Sequence, residues 1–402
     1  MIQQIRARRV LTEYGWRENQ AVAVSDGIIT AITPLAAKET QFDAEQLCPA
    51  YIDTHVHGGQ GMDVMDDNPQ ALKTIAAFKA QQGVAAWLAT TVTAPLPDLR
   101  STLGRIARYC QQQTTAEPVA EVLGTLGRIA RYCQQQTTAE PVAEVLGSYL
   151  EGPYFTPQNK GAHSPELFRE LQISELDTLI TDAAGTLKVV ALAPEKPEAL
   201  NAIRHLKRRG LNVMLGHSAA TYEQTLAALD AGADGLVHCF NGMTGLHHRE
   251  PGMAGAGLSD PRAWLELIAD GHHVHPAVMR IVCQCAAHRT VLITDAMRAA
   301  GQPDGIYDIC GHDVTMKAGI VRTASGGLAG STLALDDAVS RMINDTGTLP
   351  ETAIRMASLQ PAQLLGITAT HGSISAGKRA HFNNLNSDWR VTQTWIHGQP
   401  VR

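Results

Sequence analysis

The chain has 402 residues, 44% of them hydrophobic, with 39 acidic against 33 basic side chains and a formal net charge of −6. That balance argues against nucleic acid or an anionic membrane as a partner, because no broad basic surface is available to draw phosphate. No apolar run approaches the roughly 18 residues of a membrane-spanning helix, and the start Met1–Val10 lacks a secretory signal's apolar core, so a cytoplasmic location is expected.

In chain order, Ile5–Val10, Ala21–Val24 and Ile28–Ile32 read as a small antiparallel β unit with Asp26-Gly27 as a hairpin turn. Short apolar runs then alternate with helical stretches: Ala85–Leu88, Val145–Leu150, Val189–Leu192, Val213–Leu215, Gly235–Val237, Leu265–Ile268 and Thr290–Ile293. Amphipathic segments such as Pro197–Arg209 and Tyr222–Ala231 lie between them. Repeated βα units with nearly continuous apolar strands indicate a parallel sheet covered by helices, and their number fits an α/β fold of the (β/α)₈ TIM-like barrel type. The tail from Trp389 to Trp395, followed by the His397-Gly398 turn, can join the N-terminal unit as a further strand. The expected organisation is therefore a small β-sandwich domain from residues 1–49 and 360–402 around a barrel at 50–359.

One feature breaks the alternation. Thr102–Gly124 recurs unchanged at Thr125–Gly147. Diverged structural repeats keep a pattern and lose identity, so an unchanged 23-residue copy reads as a recent duplication. Each copy holds an amphipathic helix and a strand-like Val-Ala-Glu-Val-Leu, and only the second runs on into Tyr149-Leu-Glu151. One copy is expected to complete the fold while the other leaves as a helical insertion, which loop-closure entropy tolerates. If the wrong copy took the barrel position, the strand Val119–Leu123 would end in Gly124-Thr125-Leu126 and supply no metal ligand, and the chain would be a non-catalytic scaffold.

The chemistry gathers at strand ends. In His55-Val-His57, residues i and i+2 project to one side of a strand and can hold one metal together. Glu151, His217, His238 and Asp295 each close an apolar run. A buried carboxylate needs a cation as partner. Acids and imidazoles at successive strand ends all find that partner in a carboxylate-bridged centre of one or two metals, with Asp295 able to move protons. The seven cysteines include no CxxC pair and read as small buried hydrophobes. Asp63, Asp66 and Asp67 read as a charged loop and helix start, and His205, His288, His312, His371 and His397 as solvent-facing.

These residues, in this order, resemble the metal-dependent amidohydrolase superfamily. LEGPYFTPQNKGAH (150–163), GHSAAT (216–221), HCFNGMTGLHHREPG (238–252), IADGHHVHP (268–276), LITDAM (292–297) and GGLAGSTL (326–333) resemble, more narrowly, its N-acetylhexosamine-6-phosphate deacetylases, most closely those acting on the galacto substrate. The resemblance implies an amidohydrolase-type barrel that hydrolyses the acetamide of an amino-sugar phosphate. It implies Glu151, His217 and His238 as principal metal ligands, His55 and His57 as a second-metal pair, and Asp295 as the catalytic carboxylate. Ala162, His163, Asn241, Gly242, Arg249, Asp270, Gly271, His272, His273, Leu328, Ala329 and Gly330 match substrate-contacting positions. It further implies a divalent metal, zinc first with iron or manganese also suited, and a homodimer in which Arg249 reaches the neighbouring site to hold phosphate.

Physical chemistry supports those roles. A bound divalent cation brings water toward a pKa of about 7, His163 or His273 can donate to the acetamide carbonyl, and a guanidinium suits a phosphate dianion. Of the pairs His247-His248 and His272-His273, at most one side chain each is expected to enter the site. Two departures stand out: the duplication just before Glu151, and Ala380–Ser387, where three asparagines oppose strand formation. The rival readings are the gluco epimer's deacetylase, a cyclic-amide or deaminase relative, and the inactive scaffold.

Overall fold

The computed structural model of the chain describes residues 3–36, 39–116 and 141–401. Eight strands run in parallel in chain order: β1 (Tyr51–Val56), β2 (Val84–Thr90), β3 (Glu144–Glu151), β4 (Leu187–Leu192), β5 (Asn212–Leu215), β6 (Gly235–Leu236), β7 (Trp264–Ile268) and β8 (Thr290–Ile293). All seven residues of β2 and all four of β8 are buried, as continuous apolar runs require when a sheet is covered on both faces. The ladder runs unbroken from β1 to β8. Between β8 and β1 the barrel closes by a bridge at Val56 and Ala296, with the Asp295 amide donating to the His55 carbonyl and the His57 amide to the Ala296 carbonyl.

Helices cover the outside, among them α1 (Ala71–Gln81) and α2 (Leu96–Ala116). The amphipathic segment expected at 197–209 folds as Ala199–Arg208 and buries Ala199, Ala202, Ile203 and Leu206. Each buried branched side chain there contributes about 1.5–3 kcal/mol. The helix starts late because Glu198 adopts a left-handed φ of 66°. At Tyr222–Asp230, Thr221 and Gln224 form a reciprocal capping box.

A seven-stranded sheet draws on both chain ends, in the order Gln399–Pro400, Val391–Ile396, Phe382–Leu385, Ala44–Pro49, Gln3–Thr12, Gly15–Ser25, Ile28–Pro34. Asp26 and Gly27 turn the expected hairpin with φ of 52° and 76°, the left-handed pair that a two-residue turn requires. The asparagines at 383 and 384 do not prevent the strand Phe382–Leu385. Their amides make bonds that an apolar side chain could not: Asn383 donates to the Gly83 carbonyl at 2.8 Å, and Asn384 Oδ1 accepts from the Glu45 and Gln46 amides at 2.9 and 3.1 Å.

The duplicated segment is used in two parts. The first copy supplies α2 from Thr102 to its end at Ala116, and the second supplies the start of β3. Gln113 joins the halves, donating to the Val145 carbonyl at 3.2 Å and accepting from its amide at 3.1 Å. The strand occupying the barrel is thus the one that ends in Glu151; residues 117–140, which include Val119–Leu123 and hold the end of the first copy and most of the second, lie outside the described residues, so the expected extrusion of one whole copy falls partly on them.

Other expectations need correction. Gly305–Ile309, His312–Lys317 and Ile320–Thr323 form a three-stranded sheet that apolar runs do not reveal, because alternating strands carry too few apolar residues. His371 is buried, not solvent-facing, with Nε2 3.3 Å from Glu144. Asp63 is also buried, 3.6 Å from Arg298. Cys48 and Cys239 are buried as expected, whereas Cys285 is exposed, and Cys133 lies outside the described residues.

Candidate metal centre and active site

The C-terminal ends of β1, β3, β5, β6 and β8 bring six side chains to one point. Three of the six, His217, His238 and Asp295, have positive φ (46°, 26° and 51°), a conformation that non-glycine residues adopt at an energetic cost. The left-handed turn swings each side chain from the strand end into the barrel mouth. His217 is also confined by glycines: a Cβ at Gly161 or Gly242, both at positive φ, would come within 2.9 Å of its ring.

Two groups of potential ligand atoms result. Glu151 Oε1 lies 3.2 Å from Nε2 of both His217 and His238, whose Nε2 atoms are 3.1 Å apart. In the second group, His57 Nε2 is 3.3 Å from His55 Nε2 and 3.1 Å from Asp295 Oδ1. Glu151 faces both groups, since its Oε2 is 3.2 Å from His57 Nε2. Each set of three has its ligand atoms within 4.8 Å of one another.

The hydrogen bonds behind the rings test whether this arrangement suits a cation. His217 Nδ1 is tied to the Asn159 carbonyl (3.0 Å), His238 Nδ1 to the Asn241 carbonyl (3.1 Å) and His57 Nδ1 to the Thr90 carbonyl (3.2 Å). His55 Nδ1 is tied to Glu266 Oε2 at 3.2 Å. A nitrogen bonded to a carbonyl must carry the hydrogen, so each Nε2 turns its lone pair inward, as in histidines that ligate metals. Converging imidazole nitrogens and carboxylate oxygens call for positive charge among them, a shared proton or a metal ion. The residues fit a divalent metal.

His163 is built the other way. Its Nδ1 accepts from the Thr93 amide at 3.3 Å, which places the hydrogen on Nε2, 3.6 Å from Glu151 Oε2. It is a donor at the edge of the centre and not a ligand. His273 is held through Nδ1 by Asp270 Oδ2 at 2.6 Å, while Asp270 Oδ1 accepts the amides of His272 and His273 at 2.8 Å.

Charge follows the packing. Burial pushes the Glu151 carboxyl up, but the surrounding imidazoles, His55 first, outweigh it and hold the group well below its ordinary range. Burial and the neighbouring His163 depress His217 to about 4. Burial opposes both shifts in the coupled pair on the other side, where mutual hydrogen bonding raises His57 to about 9 and lowers Asp295 to about 2.

A cavity of about 430 Å³ opens onto this centre. Of the substrate-contacting positions expected from sequence, Ala162, His163, Asn241, Gly242, His273, Leu328 and Gly330 line it. Asp270 stands behind His273, Ala329 is buried, and His272 is exposed beside Gly271. Arg249 is exposed on a loop with Leu246 and does not line the cavity of its own chain; its guanidinium lies 2.7 Å from His248 Nε2.

Several residues of the site give little or no sign in the sequence. Asn159, Lys160 and Cys310 line the cavity, and Glu266 supports His55 from within β7. Glu266 carries a signal: it is the one charge inside the run Trp-Leu-Glu-Leu-Ile, and a carboxylate in the middle of a buried strand needs a partner.

Comparison with known proteins agrees with the geometry. Residues 47–401 match the amidohydrolase family. The chain is 60% identical to an N-acetylgalactosamine-6-phosphate deacetylase of Escherichia coli O157:H7 across 98% of both chains. It is 46% identical to an N-acetylglucosamine-6-phosphate deacetylase of Vibrio furnissii, covering 98% of this chain and 94% of that one. The crystal structure of the N-acetyl-D-glucosamine-6-phosphate deacetylase of Mycobacterium smegmatis superposes over the full length of both chains with a TM-score of 0.87 at 30% identity.

Proposed function

The chain belongs to the amidohydrolase family, and we propose that it hydrolyses the acetamide of N-acetyl-D-galactosamine 6-phosphate to D-galactosamine 6-phosphate and acetate. The observation that carries this reading is the pairing of an inward-facing ligand set (Glu151, His217, His238, His55, His57) with a carboxylate, Asp295, at the rim of one cavity. The galacto assignment rests on the 60% identity to the Escherichia coli enzyme.

Glu151, His217 and His238 would hold one divalent metal, and His55, His57 and Asp295 a second, with zinc the first choice for imidazole and carboxylate ligands. Such a metal, when bound, supplies acidity to water and polarises an amide carbonyl. The chain's own residues do the rest. Asp295, held ionised by its neighbours, takes a proton from the attacking water and returns it to the departing nitrogen as the C–N bond breaks. The acyl group leaves with the water oxygen and becomes acetate by releasing water's second proton to the medium, and the amine leaves with the first. His163, with its hydrogen fixed on Nε2, donates to the acetamide oxygen as charge develops there. His273, whose ring Asp270 orients, lines the same cavity.

The sugar phosphate is a dianion that suits more than one cation, and Lys160 is the lysine in the lining of one chain's cavity. Arg249 is exposed outside its own cavity, which supports a homodimer in which it serves the neighbouring site. The second reading, the gluco epimer's deacetylase, is favoured by the names of the Vibrio and Mycobacterium relatives. Acetate release from the two epimeric substrates, measured on one preparation, separates the readings.

A further inference from the structure

The two ligand groups are scaffolded differently. Glu151, His217 and His238 stand on β3, β5 and β6, which belong to one continuous ladder. His55, His57 and Asp295 straddle the gap between β1 and β8, the two strands at the ends of that ladder. Above the gap, backbone bonds at Asp295 and His57 join the lips. Beneath it lies a fully buried polar node. Lys79 on α1 is 0% exposed and donates from Nζ to Asp53 Oδ2 and to Thr294 Oγ1, both at 3.0 Å. Thr294 Oγ1 donates to Asp53 Oδ2 at 2.6 Å, and Asp53 Oδ1 accepts from the Thr294 amide at 3.2 Å and, at longer range, from the His55 amide at 3.4 Å.

Asp53 precedes His55 by two residues, and Thr294 precedes Asp295 by one. The node therefore replaces the missing ladder at the level just below the ligands. Burying an ammonium and a carboxylate together is costly, and apolar side chains would close such a gap at less cost. What apolar packing cannot do is fix the strand ends by directed bonds.

We propose that Lys79 is a positioning residue: through Asp53 and Thr294 it sets the spacing of His55 and His57 from Asp295, and so shapes that half of the centre as a cation site, leaving the Glu151 half to the ladder. This rests on the metal-dependent reading given above, but not on the identity of the substrate.

The test is zinc titration against a chromophoric chelator on the full-length, metal-stripped chain, comparing wild type, Lys79→Met and Thr294→Val. Both variants should keep the wild-type circular dichroism and bind a first zinc within threefold of wild-type affinity. The second zinc should bind at least tenfold more weakly, and kcat should fall at least tenfold with KM within twofold. Thr294→Val leaves the Lys79–Asp53 pair intact, so it decides the matter if Lys79→Met does not fold. Equal weakening of both zincs would show general loosening and overturn the proposal, as would unchanged affinities or a wild-type chain that takes up one zinc only. The titration needs no substrate, so absence of acetate release by the wild type would overturn the substrate assignment alone.

Discussion

His163 and His217 lie with ring centroids 4.4 Å apart, yet their backbone partners prepare them for opposite work. The Asn159 carbonyl fixes the hydrogen of His217 on Nδ1 and leaves Nε2 as a ligand, while the Thr93 amide fixes that of His163 on Nε2 and makes it a donor. Replacing His163 with Gln should therefore lower kcat by about 10²–10³-fold, the range for loss of one donor to a developing oxyanion, with zinc content unchanged. Steady-state kinetics with metal analysis checks both. Asp295→Asn removes the proton carrier, and kcat should drop by about 10²–10⁴-fold while the zinc held by Glu151, His217 and His238 remains. A zinc-replete Asp295→Asn enzyme within tenfold of wild type would assign the proton transfers to another group.

Where the seven-stranded sheet meets the barrel, the strand Phe382–Leu385 is preceded by His381, which is buried with neither ring nitrogen hydrogen-bonded among the described residues. Its ring lies 4.6 Å from that of His397 and 5.6 Å from that of His371, with Arg379 and Glu144 close by. Burial, then the positive ends of those neighbours, hold its pKa well below 6.5. Below pH of about 6.5 the unfolded chain binds a proton that the folded chain refuses, so stability falls as pH drops through that window. Glu144 acts lower down. Burial opposes ionisation, but His371 and Arg379 hold its carboxyl below 4.5, so the stability it contributes is present above 4.5 and lost as pH falls through the folded value. Thermal unfolding from pH 7.5 to 5 should show a falling Tm, and His381→Leu should flatten that slope without affecting the drop below 4.5. The duplicated segment belongs at this scale too. Because α2 uses the first copy and β3 the second, deleting Thr102–Gly124 rebuilds the same helix and strand sequence, and kcat should stay within twofold. A large gain in activity would mean that β3 is not seated as described.

For the molecule as a whole, the proposed dimer rests on Arg249, which is exposed outside the cavity of its own chain. Arg249→Ala should raise KM for the sugar phosphate by about 10- to 100-fold, the loss of a charge-assisted hydrogen bond, with kcat nearly unchanged. Light scattering should give twice the chain mass. A monomer with wild-type KM would remove the neighbouring arginine from the mechanism. The barrel and the meeting of Glu151, His217, His238 and Asp295 were legible in the sequence because a charge or imidazole that ends a buried apolar run must be partnered, and these strand ends converge on one point. Lys79 was not: a basic residue on an amphipathic helix reads as solvent-facing until packing shows which side of the helix meets the gap between β1 and β8. The strand at Phe382–Leu385 was masked by its asparagines, whose partners at Gly83, Glu45 and Gln46 lie some 300 residues earlier in the chain.

The central claim is metal-dependent deacetylation with a preference for the galacto substrate. The measurement that tests it most directly is acetate release from N-acetylgalactosamine 6-phosphate and N-acetylglucosamine 6-phosphate, side by side, on one preparation with its zinc quantified. Both substrates should turn over, activity should vanish when the metal is stripped and return on reloading, and kcat/KM should be higher for the galacto epimer. A zinc-loaded enzyme that releases acetate from neither substrate would contradict the claim.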